Sequence, residues 1–328
     1  MTPSENASEI PDQLTSGASR VSRGVLLLLA LVGAATADEN FRGEFRVVGY
    51  LPDYRAAEYG LEAARGVTDL LVFSAEPTPE GGIDLRRLER APWERLREFK
   101  TRQRVRLILS LGGWGRSNHF GSVATSEEKR RKFAEAAVRV CLERRLDGID
   151  LDWEHPKDAA EEEGYGKLLA AIHEVFRPQG LVLSMTVAGW QRLPAEGIAA
   201  VDTVNVMAYD LDGRHSTFEG ATADVKKLLD QGVPPEKIVL GMPFYGRSVE
   251  SRRRTLTYRE IVAKHHPAAD VDEVDGLYFN GPETIQKKTA WAIESGLGGV
   301  MVWELGQDAG GEEGLLGVIR RLVDRRSQ

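Results

Sequence analysis

Residues 147–156 read Asp-Gly-Ile-Asp-Leu-Asp-Trp-Glu-His-Pro, so Asp150, Asp152 and Glu154 alternate with Ile149, Leu151 and Trp153. That period of two is the pattern of a strand, and it stacks three carboxyl groups on one face with about 6.6 Å between successive Cα atoms. Like charges in a buried row repel, and each loses hydration. Such a row is stable if its members share protons, if a cation sits among them, or if it performs acid–base chemistry. Asp147 is out of phase with the other three and marks the start of the strand.

A row of acids needs a scaffold to keep it out of bulk water. From residue 45 onward short apolar runs alternate with amphipathic stretches. The runs predict strands at Phe45–Leu51, Asp69–Ser74, Val105–Leu111, Gly148–Glu154, Leu181–Ala188, Thr203–Tyr209, Ile238–Phe244 and Gly299–Trp303. Helical periodicity falls at Leu85–Lys100, Ser126–Arg145, Ala159–Phe176, Ala221–Gln231, Pro282–Ser295 and Gly314–Arg325. Eight such alternations predict an α/β fold, a single-domain (β/α)8 TIM barrel over residues 41–328, with its chemistry at the C-terminal strand ends. No Gly-x-Gly-x-x-Gly follows the first strand, which argues against a dinucleotide-binding sheet. In such a barrel the acid row faces inward, so a solvated strand is excluded, and the six histidines show no metal-ligand spacing. Asp270, Asp272 and Asp275 do not match a calcium loop, because Gly281 stands where its bidentate glutamate belongs.

The strand ends carry further motifs: Ser110-Leu111-Gly112-Gly113-Trp114, Met207-Ala208-Tyr209-Asp210, Gly241-Met242-Pro243-Phe244-Tyr245-Gly246-Arg247 and Gly298-Gly299-Val300-Met301-Val302-Trp303-Glu304. Together with Asp147-x-x-Asp150-x-Asp152-x-Glu154, they resemble glycoside hydrolase family 18, the chitinases. The resemblance extends across nearly the whole chain after the N-terminal segment. It implies a retaining hydrolysis of β-1,4 bonds between N-acetylglucosamine units in which the substrate assists. Glu154 is then the acid, and the sugar's acetamide oxygen attacks the anomeric carbon to give an oxazolinium ion. Asp152 accepts from the acetamide N–H, Asp150 shares a proton with Asp152, and Tyr209 donates to the acetamide oxygen. Trp303 offers a flat floor to the reacting sugar and Trp114 a platform on the leaving side. Met207 and Asp210 line the pocket, while Tyr50, Phe73, Tyr245 and Arg247 at strand ends suit substrate binding or support equally. Many relatives insert an α+β domain between strands seven and eight. Ser248–Leu297 has about fifty residues and must also supply a helix, so that wall is expected to be absent or reduced.

Forty-two per cent of the 328 residues are hydrophobic and the net charge is −7, which disfavours nucleic acid as a partner. Cys141 is the sole cysteine and lies in an apolar helical stretch, where it packs. Arg20 and Arg23 precede the apolar run Val25–Val32, and Ala35-Thr36-Ala37 suits a signal peptidase. Residues 1–37 therefore read as an export signal, giving a secreted or periplasmic protein, or else as an N-terminal membrane anchor. The expected partners are chitin or N-acetylglucosamine oligosaccharides, with no cofactor, no metal, no stable membrane partner and a monomeric state. Two other functions fit the same barrel: an endo-β-N-acetylglucosaminidase acting on glycans, and a chitin-binding lectin, against which the intact acid row argues. If Glu154 is the acid, Glu154→Gln should lower turnover of chito-oligosaccharides by at least about 10²–10⁴-fold while binding persists. Near-normal turnover by the folded variant would exclude that role.

Overall fold

The computed structural model describes residues 44–251 and 253–326. Residues 1–37, expected to be an export signal or an N-terminal anchor, lie outside them. Eight parallel strands close into a barrel: β1 (Arg46–Pro52), β2 (Asp69–Pro77), β3 (Arg106–Gly112), β4 (Gly148–Asp152), β5 (Val182–Ala188), β6 (Thr203–Met207), β7 (Ile238–Pro243) and β8 (Gly299–Trp303). β1 pairs with both β2 and β8, which shuts the ring. All eight fall where the apolar runs predicted them, to within a few residues.

Alternation along each strand sorts side chains into two cores. Val47 and Leu51 of β1 pack outward under the helices, whereas Val48 and Tyr50 point inward with Leu71, Phe73, Ile108, Val239 and Met301. On β4, Ile149 and Leu151 join the outer core, and just beyond the strand Trp153 stacks on Phe120 with ring centroids 5.5 Å apart. Asp150 and Asp152 are thereby committed to the barrel interior.

Among the described residues the longer helices are α1 (Trp93–Gln103), α2 (Glu127–Arg144), α3 (Ala159–Phe176), α4 (Ala195–Ala200), α5 (Phe218–Asp230), α6 (Tyr258–His265), α7 (Pro282–Glu294) and α8 (Leu315–Arg326), with a single helical turn at Phe120–Ala124 before α2. Several of their starts have side-chain causes. Asp158 accepts from the Glu161 N–H at α3, Thr217 from Gly220 at α5, and Thr257 forms a reciprocal capping box with Glu260 at α6. The predicted helix at 85–100 is broken into a short turn at Arg86–Leu88 and α1, because Pro92 cannot continue the first segment and precedes the second. The crossover after β1 carries only the short turns Asp53–Ala56 and Leu61–Ala64, and α4 has six residues, too few for periodicity to announce. Cys141 is buried in α2, as expected.

Between β7 and β8 the chain builds a small antiparallel sheet from Tyr245–Ser248, Thr255–Thr257, Glu273–Val274 and Leu277–Tyr278, with α6 packed beside it. No large inserted domain is present there; the wall is reduced to this sheet and one helix. Arg254 pairs with Asp275 across it, so that arginine is a stitch and not a free surface charge. Asp272 accepts from the Gly281 N–H and the Thr284 hydroxyl, which makes it a turn anchor. His265 ends α6 and His266 adopts the left-handed cap.

Asp147, first acid of the motif, works on the scaffold. One oxygen accepts from Lys100 Nζ at 2.7 Å and the other from the Leu107 N–H at 2.7 Å, tying β4 to α1 and β3. Asp147→Ala strands that N–H and should cost about 1–2 kcal/mol, read as a lower urea midpoint at an unchanged m-value.

Candidate active site

Three cavities run together along the C-terminal ends of the strands. The central one, about 280 Å³, is bordered by Asp152, Glu154, Tyr209, Met207, Trp303 and Trp114. A neighbour of about 710 Å³ shares Trp114, Glu154, Met207, Tyr209 and Asp210, and adds Trp190 and His155. On the other side a third, about 430 Å³, shares Asp210 and Trp303 and reaches Arg55, Tyr245, Arg247 and Gln307. The result is an open groove with Glu154 and Asp210 near its middle.

Below the groove the acid row is graded. Asp150 is fully buried and accepts from five side chains: Ser184 at 2.7 Å, Tyr50 at 2.9 Å, Thr186 at 3.0 Å, Ser110 at 3.1 Å and Asn205 at 3.2 Å. These donors oppose the upward shift that burial imposes on its carboxyl. Asp152 Oδ1 is buried and has no partner. Burial first, then the charges of Glu154 and Asp150, push the Asp152 carboxyl well above the usual range. With both Asp150 oxygens already saturated, the proton of this pair belongs on Asp152. Glu154 sits two residues past the end of β4 and is pushed up to about 7, by burial first and by Asp210 second, against a backbone hydrogen bond at Trp114.

Glycines let the neighbouring strand come this close. Gly112 and Gly113 both have φ near +95° to +100°, and the Gly113 N–H donates to the Asp152 carbonyl at 2.6 Å. A Cβ at Gly112 would overlap that carbonyl, and one at Gly113 would overlap the Phe73 ring.

The aromatic residues divide by task. Trp303 is half-buried, with Tyr50 and Phe73 packed against it at centroid distances of 5.4 and 4.8 Å. Tyr50 and Phe73 border the pocket, yet their main contacts support Trp303 and Asp150. Tyr209 is buried, and its hydroxyl has only Met301 Sδ, 3.8 Å away, as a partner. Trp114 is 81% and Trp190 65% exposed, and both flank Glu154. Tyr245 and Arg247 each donate to Asp210 Oδ1 at 2.6 Å, which fixes that carboxylate at the rim.

Several groups in this ensemble carry no local sequence signal. Arg116 spans from Asp53 (3.0 Å) to Ser74 (3.1 Å) with its guanidinium 5.0 Å from the Phe73 ring centroid. Thr186 pairs in register with Asp152 across β4 and β5. Lys288 of α7 is buried and donates to the Ser216 carbonyl and hydroxyl and to Asn280 Oδ1, pinning the loop that follows Asp210; burial lowers its pKa to about 7. Alternation in β5 points to Thr186 once the strands are aligned, whereas Arg116 and Lys288 lie in a loop and a helix where nothing local marks them.

A family model for glycosyl hydrolases family 18 matches residues 46–308. The chain belongs to glycosyl hydrolases family 18. Chitinase 1 of Aphanocladium album is 28% identical over 275 residues, covering 66% of this chain and 65% of that enzyme. The family 18 chain therefore spans just under two thirds of the length of such curated relatives. The crystal structure of chitinase ChiB from the chitin utilization locus of Flavobacterium johnsoniae superposes with a TM-score of 0.76 at 27% identity, covering 86% of this chain and 95% of that one. A chitinase from Bacteroides thetaiotaomicron shares the fold, with a TM-score of 0.79 at 22% identity over 87% of this chain and 98% of that one.

The raised Glu154 pKa has a consequence for stability. An unfolded glutamate ionises near 4.5, so the cost of burying this carboxylate is absent below that pH and complete above about 7. Glu154→Gln should thus raise Tm at about pH 8, by a few degrees for on the order of 1–3 kcal/mol, and leave it unchanged near about pH 4. Equal Tm values at both pH extremes would contradict the shift.

Proposed function

We propose that the chain is a retaining chitinase that cuts β-1,4 bonds between N-acetylglucosamine units with the substrate's acetamide as nucleophile. The observation that carries this reading is the buried, unpartnered Asp152 Oδ1 beside Glu154, whose carboxyl is pushed up to about 7. A hydrogen-bond acceptor left empty in a dry site is costly unless a ligand supplies the donor. The acetamide N–H of a sugar lying on Trp303 is that donor. The Tyr209 hydroxyl, held only by a weak sulfur contact, is free to turn to the acetamide oxygen.

The steps balance on this chain's own groups. Glu154 gives its proton to the glycosidic oxygen as the bond from that oxygen to the anomeric carbon breaks, and the acetamide oxygen bonds to that carbon. The leaving sugar departs along Trp114. Glu154, now a carboxylate, takes a proton from water as the water's oxygen opens the oxazolinium, so configuration is retained. Arg247 and Tyr245 keep Asp210 at the rim, where its charge helps hold the Glu154 proton between turnovers. Chitin is favoured over protein-linked glycans because the relatives in hand carry chitinase names. The polypeptide is read as exported and monomeric; among the described residues no helix is long and apolar enough to cross a membrane.

Partially deacetylated chito-oligomers test the mechanism. A free amine cannot attack as a carbonyl does, so new reducing ends mapped by mass spectrometry should all be N-acetylated. Frequent deacetylated reducing ends would mean an ordinary two-carboxylate mechanism. In the same digests the small insertion leaves the groove open on one side, so early products should include odd lengths as readily as disaccharide. A dominant disaccharide would indicate a chain held and slid between cuts.

A further inference from the structure

Glu154 is followed in the chain by a residue whose side chain turns back to it. His155 Nε2 lies 3.8 Å from Glu154 Oε2, and His155 Nδ1 lies 3.4 Å from Gln191 Oε1. The imidazole also meets the exposed Trp190 indole edge-on, with centroids 4.7 Å apart. Gln191 and Trp190 come from the loop after β5, so His155 is clamped between that loop and the acid. Glu154, His155 and Trp190 all border the leaving-side cavity.

With the oxygen of the Gln191 amide turned toward the ring, the contacts select which nitrogen bears the proton. An amide oxygen only accepts, so a neutral imidazole in this position carries its proton on Nδ1 and presents a bare lone pair at Nε2. That lone pair faces the carboxyl group. We propose that His155 is a positioning residue for the catalytic proton: neutral and protonated at Nδ1, it accepts from the Glu154 carboxyl through Nε2 and holds the acid protonated between turnovers. The 3.8 Å separation is about 1 Å longer than a made bond, and contacts of this kind tighten as a site fills. A small turn of either side chain closes it. Arrival of the glycosidic oxygen then exchanges one acceptor for another, and the proton passes to the substrate.

The surroundings favour the neutral ring. Burial lowers the His155 pKa from its ordinary value, and the Gln191 contact only partly opposes this. The charged groups bordering the same cavity are Glu154, Asp210, Asp212, Asp224 and Arg247. Asp210 is paired with Arg247 and Asp224 with Lys227, whereas Glu154 makes the direct contact with a ring nitrogen. An imidazolium here would donate to Glu154 and drive it to ionise, which is the opposite of what an acid catalyst needs. The inference rests on Glu154 being the acid of the proposed reaction.

The test uses the full chain labelled with ¹⁵N-histidine and long-range ¹H–¹⁵N spectra, with His155→Phe assigning the signal among the six histidines. At about pH 6.5 and above, His155 should show a protonated Nδ1 and a bare Nε2. Its shifts should carry an inflection near pH 7, where Glu154 ionises, that disappears in Glu154→Gln. An Nε2–H tautomer, or a titration unchanged by Glu154→Gln, would overturn the proposal. Kinetics supply a second arm, since phenylalanine keeps the packing on Trp190. His155→Phe should lower kcat on chitotetraose about 10-fold but on a chitobioside with an acidic phenol leaving group less than about 3-fold, with KM little changed. Equal losses on both substrates would reduce His155 to a structural role. If the unaltered chain cuts neither substrate, the chitinase reading fails, and the spectra still decide whether His155 holds the Glu154 proton.

Discussion

Three carboxyl groups at the end of one strand must coexist in a space from which most water has been removed. Each added charge there raises the cost of the next, so the row can persist only if its members are made unequal. The inequality is built from outside the strand. Asp150 is surrounded by hydroxyl and amide donors from β1, β3, β5 and β6 and can bear its charge. Asp152 has burial and two acidic neighbours, and keeps its proton. Glu154 is at the mouth, raised to about 7, close enough to neutrality to give up a proton and take one back.

Much of the remaining structure follows from keeping that gradient intact. The glycine pair at the end of β3 lets the chain approach the Asp152 carbonyl where a side chain would not fit. Tyr50 serves twice, with its hydroxyl on Asp150 and its ring against Trp303, so the carboxylate at the base and the indole at the pocket are set by one residue. Lys288, Ser216 and Asn280 fix the loop after β6, and Arg247 with Tyr245 holds Asp210 within electrostatic reach of Glu154. The small sheet between β7 and β8 therefore does more than border the groove. It carries the arginine that keeps the rim carboxylate in place.

The groove is chemically asymmetric. On the side of Glu154 that leads to His155 it presents the two exposed indoles of Trp114 and Trp190. On the side toward the small sheet it presents the polar side chains of Arg55, Thr255, Thr257 and Gln307.

The sequence by itself determined the barrel and the identity of the acid row. Period-two alternation is a local property, and so is the inward commitment of Asp150, Asp152 and Glu154 that follows when Ile149, Leu151 and Trp153 must face the helices. The same locality explains why helices with a full apolar stripe or a side-chain cap were legible, while the one-turn crossover after β1 and the six-residue α4 were not. Tertiary structure alone decided how the acids differ. Tyr50 and Asp150 are 100 residues apart in the chain, Ser184 and Thr186 belong to another strand, and Lys288 reaches its loop from a distant helix. A pKa depends on which donors and charges end up within a few ångströms and on how much water is excluded, and neither is encoded in the spacing of one strand. His155 shows the boundary: its place beside Glu154 is written in the sequence, but the tautomer it must adopt depends on Gln191, which only the fold brings to it.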